Sequence, residues 1–325
     1  MNALRDQITI AVTVYSRRQY ISQAVHSALN QTVPARVMVV EDCGPDPELE
    51  SVVRKEFGSR IKYIRNPKRR GLFGNWNACL ELCETEWITI LHDDDYLAPN
   101  YIQAMEELAA KAPGRFLYLG RTILVGENGA VCSEEQQDDR VVTSDWVQRD
   151  LRDILVGPFL FPGHLFHVPT ALRLGGFRAA SYMAGDWEMW AKLMALSGAA
   201  QSSQVAAYCR IHMGWDRGSN RAVREGRLLP SNFICRKRII RLFPPDQRMR
   251  FDRRALQKLS PVSVRSLLRF GSEMSPRMFR YHVGLLVLSK APHFGYALFQ
   301  QCARLGGVWF VRWMSKIWNR LDPHP

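Results

Sequence analysis

The sequence predicts an α/β fold in which a mostly parallel sheet is covered by helices on both faces. Over the first hundred residues, short apolar segments alternate with stretches of helical periodicity, as expected for buried parallel strands joined by helices. The charge is distributed unevenly along the chain, which predicts a basic, helical region after residue 225. With 325 residues and 46% hydrophobic side chains, the chain is long enough for one large domain and a smaller appendage.

Each element of the first half has its own local signal. The apolar segment 8–14 predicts the first strand, and residues 19–30 predict an amphipathic helix because apolar residues recur there at helical spacing. A turn-rich segment at 43–47 ends the second strand. In order, the other elements are predicted as a strand at 36–40, a helix at 47–56, a strand at 61–64, a helix that follows residue 74 and ends near residue 83, and a strand at 87–91.

Polar loops follow these four strands at their carboxyl ends, where open parallel sheets bind their ligands. The loops lie at 15–17, 41–42, 66–74 and 92–95, so they should converge in space. The second and fourth loops carry carboxylates, and the third carries three consecutive cations. Acidic and basic groups at one cleft are typical of a site that binds a metal together with a diphosphate.

The strongest local signal is the sequence His92-Asp93-Asp94-Asp95, which comes directly after an apolar strand. Three adjacent carboxylates repel one another, and a divalent cation that takes oxygen ligands would relieve the repulsion. The alternative is a solvated acidic turn that caps the helix following Pro99. The placement after a buried strand favours the metal site.

The run from residue 8 to about residue 217 resembles a family 2 glycosyltransferase of the GT-A fold. Five elements in the right order and spacing carry the resemblance. They are Thr13-Val-Tyr-Ser-Arg17, Ser27-Ala-Leu-Asn-Gln-Thr32, Val39-Val-Glu-Asp42 with Gly44, the series Asn66, Gly71 and Asn77, and Leu91-His-Asp-Asp-Asp-Tyr-Leu-Ala-Pro99. The resemblance implies a nucleotide-sugar half at about 1–99 and an acceptor half at about 100–225.

The resemblance also implies roles for individual residues on the donor side. Asp42, with Glu41 nearby, would read the edge of the nucleotide base, and Asp94 would be the principal metal ligand. The residues expected to line the donor or acceptor site are Thr13, Tyr15, Arg17, Glu41, Asp42, Arg70, Asn77, Asp93, His164 and Arg210, and those expected to hold the metal are Asp94, Asp95 and His212. Since His92 stands where many members carry the first aspartate, the division of labour among Asp93, Asp94 and Asp95 stays open.

A second constellation, Gly185-Asp-Trp-Glu-Met-Trp190, opens a predicted helix. It resembles the family's Glu-Asp-x-x-Leu-Trp segment, which implies that Asp186 is the general base, with Glu188 as the second candidate. Gly185 replaces the family's usual glutamate. The alternative for Asp186 is an ordinary acid in the first turn of a helix, where a carboxylate is electrostatically favoured.

A third segment, Tyr208-Cys-Arg-Ile-His212, resembles the family's Tyr-Arg-x-His segment that closes over the donor. The resemblance implies that His212 ligates the metal or contacts the diphosphate, and that Arg210 or Arg217 pairs with phosphate oxygens. For His164, a structural role is the alternative to an acceptor contact. Trp190 and its neighbour Trp187 are expected in the core, with a wall of the acceptor pocket as the alternative.

The last hundred residues hold the whole excess of positive charge. Residues 226–325 contain 19 Lys and Arg against 4 Asp and Glu, a balance of +15, whereas residues 1–225 have a balance of −2. Cations interleaved with apolar and aromatic residues favour docking on an anionic membrane surface. The alternative is a helical appendage packed on the catalytic part, with its cations solvated.

The resemblance thus implies an inverting transferase that moves a sugar, most commonly from a UDP-sugar, to a hydroxyl of a cell-surface polysaccharide or a lipid-linked glycan. The cofactor is expected to be Mg²⁺ or Mn²⁺. No apolar stretch is long enough for a transmembrane helix and no secretory signal is visible, so a cytoplasmic or peripheral protein is expected. A nucleic-acid-binding protein and a nucleotidyltransferase are the alternatives, but neither the usual nucleic-acid motifs nor a glycine-rich nucleotide loop is found.

Overall fold

A computed structural model describes residues 4–133, 140–142, 161–178, 184–212, 224–243, 245–246, 248 and 275–289. Contacts within the chain separate two compact units. The first comprises residues 1–180 and 185–213, and the second comprises residues 181–184 and 214–325. The boundary predicted at 225 therefore lies inside the second unit, and Arg217, a predicted phosphate ligand, lies outside the described residues.

Ten strands of the described residues form one sheet in the first unit. The strands are β1 (Ile8–Val14), β2 (Arg36–Glu41), β3 (Lys62–Arg65), β4 (Trp87–His92), β5 (Tyr96–Leu97), β6 (Leu117–Val125), β7 (Val131–Ser133), β8 (Arg140–Val142), β9 (His164–His167) and β10 (Ala199–Arg210). Their order is β3-β2-β1-β4-β9-β6-β10-β5, with β7 beside β6 and β8 beside β10.

The first four strands are parallel, as predicted. Strand β1 pairs with β2 on one side and β4 on the other, and β2 pairs with β3. Every residue of β1 is buried, which explains why its sequence is continuously apolar instead of alternating. The carboxyl ends of β1, β2 and β4 consequently meet at one edge of the sheet.

The acceptor half adds antiparallel strands that the sequence did not indicate. Strand β9 lies between β4 and β6 and is antiparallel to both, while β6 and β10 are parallel to each other. The short strand β5 follows the acidic loop and pairs with β10. This pairing joins the acidic loop to the strand that ends at Arg210, although the two are more than a hundred residues apart.

Helices cover the sheet of the first unit. They are α1 (Arg18–Leu29), α2 (Leu49–Phe57), α3 (Gly71–Leu82), α4 (Tyr101–Lys111), α5 (Val168–Arg173) and α6 (Gly185–Ser197). Helix α1 buries the four apolar residues that predicted it, Ile21, Ala24, Val25 and Ala28. The prediction that α3 follows residue 74 was wrong, since α3 begins at Gly71. Both carboxylate oxygens of Asp42 accept main-chain N–H groups at its first turn, so a distant residue caps this helix.

The second unit contains α7 (Leu228–Ile240) and α8 (Pro276–Ser289) within the region predicted to be basic and helical. Cys235 and Ile239 of α7 are buried. His282 of α8 is also buried, and its Nε2 lies 3.1 Å from the main-chain oxygen of Gly226. No helix within the described ranges has the length and apolar character needed to cross a membrane.

Candidate active site

The loops after β1 and β4 meet through ion pairs. Arg17 Nη1 lies 3.2 Å from Asp93 Oδ1 and 2.7 Å from Asp94 Oδ2. Both carboxylates are almost fully buried, whereas the Arg17 side chain is about one-third exposed. Arg17 therefore neutralises part of the acidic loop from the solvent side.

Asp94 also contacts the end of β10. Its Oδ2 lies 2.8 Å from His212 Nε2, and the other ring nitrogen of His212 lies 3.2 Å from Glu127 Oε1. The same Asp94 oxygen thus meets both Arg17 and His212. The structure places the three predicted residues together.

A second set of ligand atoms lies beside this contact. His92, Asp94 and Asp95 each offer one ligand atom, and these atoms all lie within 4.8 Å of one another. An imidazole nitrogen and two carboxylate oxygens form a suitable donor set for a divalent cation such as Mn²⁺. The residues present therefore fit the predicted metal, with His92 as a ligand candidate that the sequence did not indicate.

The electrostatics of the acidic loop reflect its burial. Burial raises the pKa of Asp93 to about 6, against the opposing charge of Arg17. Burial also acts to lower the pKa of His92, but its contact with Asp95 and the nearby carboxylates raise that pKa on balance. A buried cluster of negative charge favours any added cation.

Arg210 holds the acidic loop in place through hydrogen bonds. Its main-chain N–H donates to Asp95 Oδ1 at 2.8 Å, and its Nε donates to the main-chain oxygen of Asp94 at 3.0 Å. The remaining guanidinium contacts go to the main-chain oxygens of Gly126 and Glu127 and to Gln23 Oε1. A phosphate contact, as predicted for Arg210, would require it to give up some of these bonds.

The carboxylates after β2 are engaged inside the protein. Glu41 is fully buried and accepts hydrogen bonds from Tyr63 Oη at 2.7 Å and the Gly44 N–H at 2.9 Å, and it pairs with Arg65 at 2.6 Å. Asp42 caps α3. Glu41 and Asp42 were predicted to recognise the edge of the nucleotide base. They would therefore do so indirectly, by fixing the conformation of the loop after β2.

Two other predicted donor residues lie at the same edge. The guanidinium of Arg69 lies 4.4 Å from the centre of the Tyr15 ring, which presents an aromatic face beside a cation. Thr13 Oγ1 donates to the main-chain oxygen of Leu91 at 3.3 Å, which ties β1 to β4. Arg70, by contrast, is paired with Glu81 through two bonds of 2.8 and 3.0 Å.

Asp186 lies in the first turn of α6 and is partly buried. Its Oδ1 has no hydrogen-bond partner among the described residues. Burial raises the pKa of Asp186 to about 6, while nearby main-chain N–H groups and the charge of His92 act to lower it. A carboxylate with these properties is suited to accept a proton near neutral pH. Glu188, the second candidate, is paired instead with Lys192 at 2.7 Å.

Aromatic rings join the acidic loop to α6. The Phe161 ring stacks on His92 at 4.5 Å and on Trp76 at 4.2 Å, and it lies 6.1 Å from Trp190. Trp190 is buried, as expected for a core residue. Buried His164 packs edge-on against Trp190 at 5.6 Å, and burial lowers the pKa of His164 to about 4, so it is neutral at physiological pH.

Part of this chain matches a known protein family. The model of the family described as "Glycosyl transferase family 2" matches residues 9–129, the segment that holds β1 to β6 and the acidic loop. Over this segment the chain is similar to family 2 glycosyltransferases. The match ends before α6, so the family model does not itself include Asp186.

Two curated proteins are similar to parts of this chain. An uncharacterised protein of Mycobacterium tuberculosis is 27% identical over 60% of this chain and 64% of its own length. A GalNAc(5)-diNAcBac-PP-undecaprenol beta-1,3-glucosyltransferase of Campylobacter jejuni is 27% identical over 39% of this chain and 41% of its own. The chain therefore spans less than two thirds of the length of either relative.

A crystal structure of S. aureus TarS residues 1–349, in complex with UDP-GlcNAc, superposes with a TM-score of 0.62 at 15% identity, covering 93% of each chain. At this identity the likeness concerns the fold alone. It confirms the predicted GT-A-type α/β fold.

Packing explains why position 185, at the start of α6, is a glycine. A Cβ added to Gly185 would lie 2.6 Å from the Phe73 ring, which is closer than side chains pack. Phe73 of α3 occupies the space that the family's usual glutamate would need. Only glycine allows α3 and the start of α6 to approach this closely.

We expect Gly185→Ala to lower the free energy of unfolding by about 1–3 kcal/mol, because the added methyl overpacks the contact with Phe73. Chemical denaturation monitored by circular dichroism would measure the change. Leu196→Ala is the matched control, since Leu196 lies on the same helix and is 56% exposed. An unfolding midpoint for Gly185→Ala equal to that of the wild type would contradict this packing account.

Asn77 of α3 holds the chain on the acceptor side. Its Nδ2 donates to the main-chain oxygen of Phe177 and its Oδ1 accepts the Phe177 N–H, both at 2.8 Å. A Cβ at the preceding Gly176, which has a φ of 64°, would lie 2.4 Å from Asn77 Oδ1. The structure therefore gives Asn77, predicted to bind substrate, a main-chain contact that fixes the turn before α6.

Sequence reasoning missed His92 and Glu127 as members of the acidic centre. The signal for His92 was present, since it occupies the position of the family's first aspartate. Glu127 gave no signal, because its contact with His212 depends on how the loop after β6 meets the end of β10.

Proposed function

We propose that this protein is an inverting glycosyltransferase that moves a sugar from a nucleoside diphosphate donor to an acceptor hydroxyl. The observation that carries the proposal is the pairing of two different acidic centres. One is the loop with Asp94 and Asp95, which fits a metal, and the other is the partly buried carboxylate of Asp186, whose pKa is raised to about 6. A transferase of this class needs one centre for the leaving diphosphate and one for the attacking hydroxyl.

Each residue of the site has a separate role in the proposed reaction. Asp94 and Asp95, with His212 or His92, would hold a divalent metal, which as a Lewis acid would neutralise charge on the leaving diphosphate. Arg17 would exchange its carboxylate partners for phosphate oxygens. Asp186 would accept the proton of the acceptor hydroxyl as that oxygen bonds to the anomeric carbon on the face opposite the leaving group, which gives inversion.

The donor is proposed to be a UDP-sugar. TarS was crystallised with UDP-GlcNAc, and it shares the fold of this chain. The aromatic face of Tyr15 lies at the end of β1 next to the acidic loop, where it would support a base. The acceptor is proposed to be a saccharide, either in a growing polysaccharide or on a lipid-linked glycan, in line with the name of the Campylobacter relative.

A thermal-shift screen tests the donor site directly. UDP, GDP and their sugar conjugates would be added to the wild-type protein with and without Mn²⁺. A ligand that binds the folded state raises the melting temperature by mass action, by an amount that grows with its concentration. We expect UDP or a UDP-sugar to stabilise the protein only when Mn²⁺ is present. If no nucleotide raises the melting temperature under any metal condition, the proposed function is wrong.

We further propose that the second unit docks on the inner face of the cell membrane, where a lipid-linked acceptor would be found. Arg236 of α7 is buried, so it does not contribute to a docking surface. Lys237 is half-exposed and Arg241 is exposed. These two side chains would face anionic headgroups.

We expect the protein to co-sediment with vesicles of phosphatidylglycerol but not with vesicles of phosphatidylcholine, and to be released as salt is raised. The double variant Lys237→Glu/Arg241→Glu should bind more weakly. Lys111→Glu, which reverses an exposed charge on the first unit, serves as the matched control. Equal binding to both kinds of vesicle, or equal binding by the double variant and the wild type, would contradict membrane docking through α7.

A further inference from the structure

One side of helix α1 lies against the acidic loop and the end of β10. Arg17 comes directly before the helix and pairs with two carboxylates of the acidic loop. Tyr20 and Gln23 follow at intervals of three residues, so the three side chains lie along one side of the helix. Gln23 Oε1 accepts a hydrogen bond from Arg210 at 2.7 Å. Tyr20, between the other two, has no role in the site as described so far.

Arg210 and His212 reach the acidic loop from the end of β10. The main chain between them stays paired with β6, since the Ile211 N–H donates to the main-chain oxygen of Val125 at 2.8 Å. Residues two positions apart in extended chain point to the same face. Both side chains accordingly contact Asp94, Arg210 at its main-chain oxygen and His212 at its carboxylate.

The ring of Tyr20 contacts both of these side chains. Its centre lies 4.6 Å from the guanidinium carbon of Arg210 and 5.7 Å from the centre of the His212 ring, with an angle of 50° between the two planes. The face of an aromatic ring attracts a cation, so the ring suits a position beside Arg210. Tyr20 is half-buried. Its ring is thus packed on the two side chains that join β10 to the acidic loop.

We propose that Tyr20 is a positioning residue, whose ring holds the His212 side chain so that Nε2 stays directed at Asp94 and at a metal bound there. The inference rests on the proposed function, because it takes Asp94 and His212 as metal ligands. Hydrogen-bond contacts with Asp94 and Glu127 fix the two ring nitrogens of His212. The Tyr20 ring packs against the imidazole and limits its movement away from these partners.

The proposal assigns the effect to the aromatic ring and not to apolar volume alone. Tyr20→Phe keeps the ring and its attraction for the Arg210 guanidinium, so it should keep the position of His212. Tyr20→Leu is apolar but has no aromatic face. Tyr20→Met is a second variant without a ring, and its flexible side chain can fill the space that the ring leaves.

A Mn²⁺ titration followed by electron paramagnetic resonance measures the metal affinity directly, because free hydrated Mn²⁺ gives a sharp signal that is lost on binding. The titration is done with UDP present, and a protein-free titration is the reference. Loss of a residue that orients a metal ligand typically weakens metal binding 10- to 100-fold, so we expect Tyr20→Leu and Tyr20→Met to raise the Kd about tenfold or more. Tyr20→Phe should have the Kd of the wild type.

Trp87→Leu is the matched control. Trp87 is also half-buried and packs against a histidine ring, that of His167, at 5.1 Å. It begins β4, at the opposite edge of the sheet from the acidic loop. This variant removes a comparable aromatic contact, but its Kd for Mn²⁺ should equal that of the wild type. Circular dichroism of each variant establishes that it is folded before the titration.

A double-mutant cycle shows which side chain Tyr20 acts through. In a protein that carries His212→Ala, Tyr20→Leu should change the Kd for Mn²⁺ by less than about threefold, because the ring has no imidazole left to hold. An effect as large as that in the wild-type background would overturn the proposal, since Tyr20 would then act independently of His212.

The outcomes separate the possible failures. If Tyr20→Leu binds Mn²⁺ as tightly as the wild type, or if Tyr20→Phe binds it as weakly as Tyr20→Leu, positioning by the ring is wrong. The proposed function would survive either result, because the wild type still binds the metal with UDP. If the wild type takes up no more Mn²⁺ than the protein-free reference, the proposed metal site fails and the role of Tyr20 fails with it.

Discussion

Replacing Asp186 with asparagine should lower kcat by about 10²- to 10⁴-fold, the contribution typical of a general base. Asparagine has nearly the same shape but cannot take up the proton of the acceptor hydroxyl. The melting-temperature shift produced by UDP with Mn²⁺ should be retained, because Asp186 lies on α6 and not on the acidic loop. Steady-state kinetics together with thermal shift would measure both quantities.

Two further variants sharpen this test. Asp6→Asn is the control for the chemical change, since Asp6 is exposed and precedes the amino end of β1, at the opposite edge of the sheet. Glu188→Gln tests the second candidate base, which is paired with Lys192 and should not be needed for proton transfer. A full loss of kcat in Glu188→Gln, with activity kept in Asp186→Asn, would show that the base has been assigned to the wrong residue.

The pKa of Asp186 also predicts a pH dependence. Burial raises this pKa to about 6, and a base works only in its deprotonated form. The rate should therefore fall as the pH is lowered through about 6 and should level off above it. In Asp186→Asn the residual rate should lack this transition.

Replacing Asp94 with asparagine should abolish the metal-dependent part of nucleotide binding. Asp94 is the carboxylate where Arg17, His212 and the candidate metal ligands meet, and an amide is a much weaker ligand for a divalent cation than a carboxylate. Asp93 remains to pair with Arg17, so the fold of the loop should persist. The result expected is a variant whose melting temperature no longer rises when UDP is added together with Mn²⁺.

Metal titration distinguishes this loss from a general defect. Mn²⁺ alone should raise the melting temperature of the wild type and of Asp6→Asn, but not that of Asp94→Asn. If Asp94→Asn keeps the full shift with UDP and Mn²⁺, the metal is held elsewhere and the reading of the acidic loop as a metal site is wrong.

Local patterns accounted for the donor half of the domain. The apolar runs that predicted β1 to β4 are recovered within two residues at each end, because a strand buried on both faces needs apolar side chains at every position. The rule that ligands bind beyond the carboxyl ends of strands then located the acidic loop. Both inferences need only the order of residues in the chain.

The strands of the acceptor half were harder to predict from the sequence. Strand β9 is only four residues long and is inserted between β4 and β6, so no local periodicity identifies it. The start of α3 was placed too late because its cap, Asp42, comes from another loop. Local signals cannot reveal a partner that the fold supplies from far along the chain.

The sequence by itself determined the α/β class and the parallel order of the first strands, and it predicted Asp94 and Asp186 as functional residues. Only the tertiary structure decided what each side chain does with its neighbours. It showed that Arg210, predicted to bind phosphate, donates hydrogen bonds to Asp94 and Asp95 of the acidic loop. The physical reason is that the pattern of apolar residues in a short segment predicts its burial, whereas hydrogen bonds and charge pairs join residues as distant in sequence as Gln23 and Arg210, 187 positions apart.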